Sequence, residues 1–194
     1  MEFLIATNNK DKLTEMRRLL QAYGHTAISL EEAGISSMPK ETGTTFAENA
    51  LLKAKAACDA SGMASIGDDS GLEVDALGGA PGVQSARFSG IHADNEANKR
   101  KLLQLLERTP FAKRTAHFVC VLALQMPSGA GMEVEGRCDG LIGFAESGEN
   151  GFGYDPLFYV DGVSFADRTD EEKDAISHRA AAVKLLVEEL PNIS

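Results

Sequence analysis

Phe152-Gly153-Tyr154-Asp155-Pro156 is followed, after a short loop, by Glu172-Lys173 and then Ile176-Ser177-His178-Arg179. The aromatic pair offers a stacking face, Asp155 accepts hydrogen bonds, and Lys173, His178 and Arg179 bring donors and positive charge within a few residues. That is the chemistry of a pocket for a phosphorylated base. Simpler readings exist, with Phe152 plugging a core and His178 on the surface.

Glu41, Asp68 and Asp69 form a hard oxygen set of the kind Mg2+ accepts, since that ion keeps several waters and takes few protein carboxylates. On an extended backbone neighbouring side chains face opposite ways, so one of Asp68 and Asp69 would reach a ligand and the other would support it. A solvated acidic turn before Ser70-Gly71 is the alternative. Lys53 could neutralise a phosphate, pair with one of these acids, or sit on the surface. Thr7-Asn8-Asn9-Lys10-Asp11-Lys12 joins a strand to a helix, and a helix N-terminus attracts anions through its unpaired N–H groups and dipole. An ordinary cap by Asn9 or Asp11 would explain the same residues.

These groups need a frame. Residues 3–7 read as a buried strand and 11–23 as a helix with Leu13, Met16, Leu19 and Leu20 at helical spacing, closed by Gly24. A strand over 25–30 is expected next, then a helix opened by a Thr45/Glu48 capping box and ended by Gly62. Residues 64–67 read as a short strand with Asp68 and Asp69 leaving its C-terminal end, where α/β folds commonly place sites, and 72–74 as extended. Gly78 to Gly82 is turn-rich; Arg87 beyond it could meet a phosphate, although a structural turn suits the segment better. Asp94 should cap a helix carrying Leu102, Leu103, Leu105 and Leu106. Residues 115–125 and 132–144 predict an antiparallel hairpin, and a last helix runs over 178–190. The expectation is an α/β fold: a mixed long sheet flanked by helices, over one domain spanning 1–194.

With 194 residues, the chain can bury roughly 70% of its unfolded surface. Its 43% apolar and 25% charged residues are ordinary for a folded protein. A net charge of −10 argues against a nucleic-acid polymer, whose binding needs clustered Lys and Arg, and leaves a small phosphorylated ligand open. Cys58, Cys120 and Cys138 are odd in number and widely spaced, so buried free thiols are expected rather than disulfides or a zinc site. His25, His92 and His117 have no companions in the sequence and read as structural. Met1 to Ala6 lacks a basic leader, and nothing reaches transmembrane length, so no membrane contact and a cytoplasmic address are expected.

The chain resembles the inosine and xanthosine triphosphate pyrophosphatases, which remove deaminated purine nucleoside triphosphates. Six segments carry the resemblance in order: Thr7-x-Asn9-x-x-Lys12, the run from Glu41 to Ala50, Asp68-Asp69-Ser70-Gly71-Leu72, Gly79-Ala80-Pro81-Gly82, Phe152-Gly153-Tyr154-Asp155-Pro156 and Ser177-His178-Arg179. Asp167 departs from the pattern, which more often has Glu there.

The resemblance implies two lobes with a central cleft, a homodimer, and Mg2+-dependent hydrolysis between the α and β phosphates. It implies that Thr7, Asn9 and Lys12, with neighbours Asn8, Lys10 and Asp11, hold the phosphates with Lys53. Glu41 and Asp69 would hold metal, with Asp68 a further candidate, and Asp69 would be the general base. Ser70 would touch substrate, and Phe152, Gly153, Tyr154, Asp155, Lys173, His178 and Arg179 would form the base pocket. Donors on the His178-Arg179 segment would suit the six-oxo group of a deaminated purine, whereas an adenine amino group would leave them unpaired. Two other readings are a related Maf-type pyrophosphatase acting on pyrimidine or modified triphosphates, and a module that senses nucleotide without turning it over.

Overall fold

The longer strands and the helices capped by Asn9, Thr45 and Asp94 appear close to where the sequence pattern puts them, while the strand that carries Asp68 and Asp69 runs on further than expected. The short strands Phe158–Val160 and Val163–Ser164 and the short helix Asp170–Asp174 are additions. The computed structural model describes residues 1–90 and 94–193, so His92 lies outside the described residues. In chain order the elements are β1 (Glu2–Ile5), α1 (Lys10–Ala22), β2 (Thr26–Ile28), α2 (Phe46–Ser61), β3 (Ser65–Val74), α3 (Asn95–Leu105), β4 (Thr115–Gln125), β5 (Gly131–Ile142), β6 (Phe158–Val160), β7 (Val163–Ser164), α4 (Asp170–Asp174) and α5 (His178–Glu189). Gly82–Arg87 forms a 3-10 segment, which gives Arg87 a place in local structure.

The described strands make one mixed seven-stranded sheet in the order β2-β1-β3-β4-β5-β6-β7. Pairing is parallel between β1 and both β2 and β3, and antiparallel between β5 and β6 and between β6 and β7. Neighbouring strands β4 and β5 are joined by only five residues, too few for a parallel crossover, so they form the expected hairpin. Nearly all of β4 is buried, the mark of a strand covered on both faces, and its sequence Ala-His-Phe-Val-Cys-Val-Leu-Ala-Leu is correspondingly almost continuously apolar.

Two compact units divide the chain, the first of residues 1–69, 120–136 and 179–194, the second of 70–119 and 137–178. Each has its own core. In the first, Phe3, Ile5, Met16, Leu20, Ile66 and Leu122 pack together with Ala182, Val183 and Leu186 of α5. In the second, Leu72, Leu102, Leu106, Phe118, Phe158 and Phe165 do the same. Burying side chains of this size stabilises by about 1.5–3 kcal/mol each.

Helix α1 is capped by Asn9, whose side chain accepts from the Asp11 and Lys12 amides. The capping box of α2 forms between Thr45 and Glu48, and Gly62 closes the helix in the left-handed conformation. Helix α2 lies unusually close to β3. A Cβ on Gly67 would sit 2.0 Å from the Ala50 carbonyl oxygen and 2.9 Å from the Ala54 nitrogen, so only glycine permits the approach. That proximity sets Asn49 and Lys53 of the helix against the two aspartates.

Candidate active site

Asp68 and Asp69 lie inside a single ten-residue strand, not beyond the end of a short one. Asp, Ser and Gly are poor strand formers, and the sequence therefore reads as a strand stop; pairing and burial override that local preference. The pleat then sends the two carboxylates apart.

Asp68 is fully buried. Its Oδ2 accepts from Arg179 Nε at 2.7 Å and its Oδ1 from Lys12 Nζ at 2.8 Å. Burial pushes the Asp68 carboxyl up, but the Arg179 and Lys12 charges outweigh it and hold the group well below the usual carboxylate range. Arg179 also donates through Nη1 to Glu15 of α1. It is 1% exposed, against 7% for Glu15. The Cys120 thiol, 3.6 Å from Asp68 Oδ2, is held protonated by burial and by that carboxylate.

Asp69 faces α2. Its Oδ1 accepts from Lys53 Nζ at 3.0 Å and its Oδ2 from Asn49 Nδ2 at 3.2 Å. Lys53 Nζ also donates to Glu41 Oε1 at 2.7 Å and to the Asp68 carbonyl at 2.6 Å. Two carboxylates from distant segments thus converge on one ammonium. Burial lowers the Lys53 pKa, but Asp69 and Glu41 more than compensate and the group stays charged. For Asp69 burial is the largest influence, and it leaves the carboxyl above its ordinary value despite Lys53 and Lys12.

Glu41 and Asp69 offer hard oxygen donors that already share a cation, which is the donor chemistry a divalent ion such as Mg2+ requires. Among the described residues no group of three or more His, Cys, Asp or Glu is arranged for a metal, so the protein could supply two carboxylates and leave the remaining positions to water and phosphate. Both oxygens of Asp68 are engaged by cations, Arg179 and Lys12. Thr7 is half-buried, with its hydroxyl accepting from the Asn9 amide, whereas Asn8, Asn9, Lys10 and Asp11 are exposed at the N-terminus of α1. The Asn9 cap thus forms as one of the two readings expected, and it occupies the Asp11 and Lys12 amides. Lys12 turns inward to Asp68.

In the second unit, Asp155 is 2% exposed and accepts through Oδ2 from the Phe152 amide at 2.8 Å and from Lys173 Nζ at 2.6 Å. The Lys173 ammonium lies 5.1 Å from the centre of the half-buried Phe152 ring. These contacts shape the loop ending at Gly153-Tyr154. Ser70, half-buried, continues β3 into this unit.

Tyr154 departs from its expected role as half of a stacking pair. It is buried, with its hydroxyl donating to the Ser85 carbonyl at 2.8 Å, and packs in the core with Leu157 and Phe158. Phe152 alone retains substantial exposure. His178 is not on the surface either; its ring stacks on Phe118 at 4.7 Å between centroids.

Arg179 follows His178 in the chain and binds Asp68 and Glu15, so its guanidinium clamps two acids of the first unit. The Nε2 of His117 lies 2.8 Å from Glu73 Oε2. His25 rests edge-on against Phe3, a structural contact. The three cysteines are buried free thiols.

Glu15 and Asn49 were not anticipated as site residues. Glu15 lies 164 positions from its partner Arg179, and no local pattern marks such a pair. Asn49 carried one available signal, its place one helical turn before Lys53 on the same face of α2.

A family model described as the Ham1 family matches residues 3–189. A dITP/XTP pyrophosphatase of Desulforamulus reducens is 48% identical over 190 residues, covering 97% of this chain and 94% of the relative. One from Haemophilus influenzae is 47% identical over 193 residues, covering 97% and 98%. Among solved structures, the Staphylococcus aureus Ham1 protein aligns with a TM-score of 0.86 at 41% identity, covering 99% of both chains. A nucleoside-triphosphatase / dITP/XTP pyrophosphatase from Mycobacterium abscessus aligns with a TM-score of 0.75 at 44% identity, covering 96% of this chain and 97% of the other.

Proposed function

The chain belongs to the Ham1 family, and from that premise we propose that it hydrolyses deaminated purine nucleoside triphosphates, dITP, ITP and XTP, between the α and β phosphates. The products are a nucleoside monophosphate and pyrophosphate. The observation that carries this reading is the convergence of Glu41 and Asp69 on the Lys53 ammonium, beside Lys12 and the N-terminus of α1. Acids placed among phosphate-binding cations are costly unless a cation sits between them and the polyanion. The names of the relatives narrow the substrate to dITP and XTP.

The in-line reaction forms a bond between a water oxygen and the α phosphorus and breaks the bond from that phosphorus to the bridging oxygen, which leaves with pyrophosphate. Asp69 orients the water and accepts its proton. Lys53 and Lys12 stabilise the charge that builds on the departing group, and Thr7, Asn8, Asn9, Lys10 and Asp11 border the phosphate end. Glu41 and Asp69 would hold Mg2+, which when bound supplies positive charge against the phosphates.

Base recognition is assigned to Phe152, Gly153, Asp155, Lys173 and His178, with Tyr154 anchoring their loop and Ser70 a substrate contact. Phe152 supplies the face, and the Asp155–Lys173 pair holds its loop. A cytoplasmic address and a homodimeric assembly belong to the same proposal, supported by the reaction's soluble substrate and by the resemblance in sequence. No described helix is long and apolar enough to cross a membrane.

The test is pyrophosphate release from dITP, XTP, dGTP, dATP and dTTP, each with and without Mg2+. Mg2+-dependent release confined to dITP and XTP is expected. Release favouring dTTP would move the chain to a pyrimidine-directed activity, and nucleotide binding without release would make it a sensor.

A further inference from the structure

Asn49 is 3% exposed and carries no charge, yet it touches both segments that bear the proposed metal-binding acids. Its Oδ1 accepts from the Gly43 amide at 2.8 Å, in the loop two residues beyond Glu41. Its Nδ2 donates to Asp69 Oδ2 at 3.2 Å. The amide orientation follows from its neighbours, because the oxygen must face the N–H donor and the nitrogen must face the carboxylate.

The two oxygens of Asp69 are thereby divided. Lys53 holds Oδ1 and Asn49 holds Oδ2, from positions one turn apart on α2. Two donors from one rigid helix fix the rotation of the carboxylate, which a single ammonium would not. Gly43 is shaped for this contact. A Cβ there would lie 2.6 Å from Asn49 Oδ1 and 2.7 Å from Glu48 Cβ, so a larger residue would drive the loop off the helix.

We propose that Asn49 is a positioning residue for hydrolysis: its amide sets the rotation of the Asp69 carboxylate and ties the Glu41 loop to α2. This rests on the reaction proposed above. Lys53 contributes charge as well as geometry, whereas Asn49 contributes geometry alone, so its removal isolates alignment. Misplacement of a reacting group by about 1 Å can cost on the order of 100-fold in rate.

The experiment compares wild type, Asn49→Ala and Asn49→Asp. It measures kcat and KM for dITP with Mg2+, the thermal midpoint, and hydrogen exchange at the Gly43 amide. Asn49→Ala removes both contacts and is expected to lower kcat about 10- to 100-fold with KM within about threefold of wild type. Its Gly43 amide should exchange at least about tenfold faster. Asn49→Asp keeps an acceptor for Gly43 but turns a carboxylate toward Asp69. Gly43 should stay protected while kcat falls at least as far as in Asn49→Ala, a split that general loosening of the fold would not produce. If Asn49→Ala does not fold, Asn49→Asp alone decides.

An active wild type with kcat unchanged in either variant, or with the loss entirely in KM, overturns the positioning role. A wild type that releases no pyrophosphate from any triphosphate overturns the reaction instead, and with it the purpose assigned to Asn49. In that case the exchange rate at Gly43 still reports whether the tether exists.

Discussion

Replacing Arg179 by Met would remove the guanidinium and keep much of the side-chain volume. Asp68, with no exposed surface, would then be left to Lys12, and Glu15 would lose the charge that holds it. Breaking a buried ion pair by removing one partner costs about 3–5 kcal/mol, because the remaining charge loses that partner without gaining water. At about 2–4 °C per kcal/mol for a chain of this size, the thermal midpoint should fall by roughly 6–20 °C. Circular dichroism melts at neutral pH read this directly. Adding Glu15→Gln to the variant removes one stranded charge and should recover part of the loss. The acid side gives a second reading. Asp68 has a depressed pKa in the folded protein, so its stabilisation is present above the ordinary carboxylate range and is lost as pH falls through the lower folded value. Without Arg179 the folded value rises, and acid unfolding should begin at higher pH. A midpoint within about 3 °C of wild type would refute the reasoning, since it would mean Asp68 is hydrated or neutral in the native protein.

Asp69→Asn should lower kcat about 100- to 10,000-fold, the usual worth of a general base, while nucleotide affinity by calorimetry stays close to wild type; comparable turnover would remove Asp69 from that role. Chelation of divalent ions should abolish pyrophosphate release and Mg2+ should restore it, whereas full activity in chelator would dismiss the two-carboxylate metal site. Lys173→Met takes the ammonium from the buried Asp155 carboxylate and should destabilise the protein by about 3–5 kcal/mol, with hydrogen exchange rising first over residues 148–155; a global change with no preference for that loop would contradict the assignment. Burial, then Asp139, pushes the Cys138 thiol up to about 11 from 9.0. Its stabilisation is complete below the unfolded thiol's range and is lost as pH rises through about 11, so Cys138→Ala should flatten the alkaline stability profile, and an unchanged profile would show the thiol to be hydrated.

Much of the frame was legible because its signals are local. The Thr45/Glu48 box, the Gly62 stop and the apolar run of β4 each lie within a few residues and act through backbone geometry, and the structure places them where the pattern does. Strands β6 and β7, of three and two residues, are too short to show a period. The charged partners were partly legible: Lys53 was open between a phosphate, an acid and solvent, and only folding shows that it spans Glu41 and Asp69. Tyr154 illustrates the limit. An aromatic residue in a glycine-rich loop has the same sequence signature whether it faces a ligand or anchors the loop, and the acceptor that decides the matter, the Ser85 carbonyl, is 69 residues away.

The pairing of Asp68 with Asp69 gives the pleat of β3 a meaning for genetics. Two identical letters, side by side, occupy opposite sides of the strand and do unrelated jobs. A substitution at 68 should behave as a folding defect, rescued by low temperature or by a second change at Glu15. The same substitution at 69 should yield abundant, well-folded and inactive protein that no such suppressor repairs. A one-residue insertion or deletion within β3 ahead of the pair would exchange their sides, so a length change at this point should be more damaging than either point mutation.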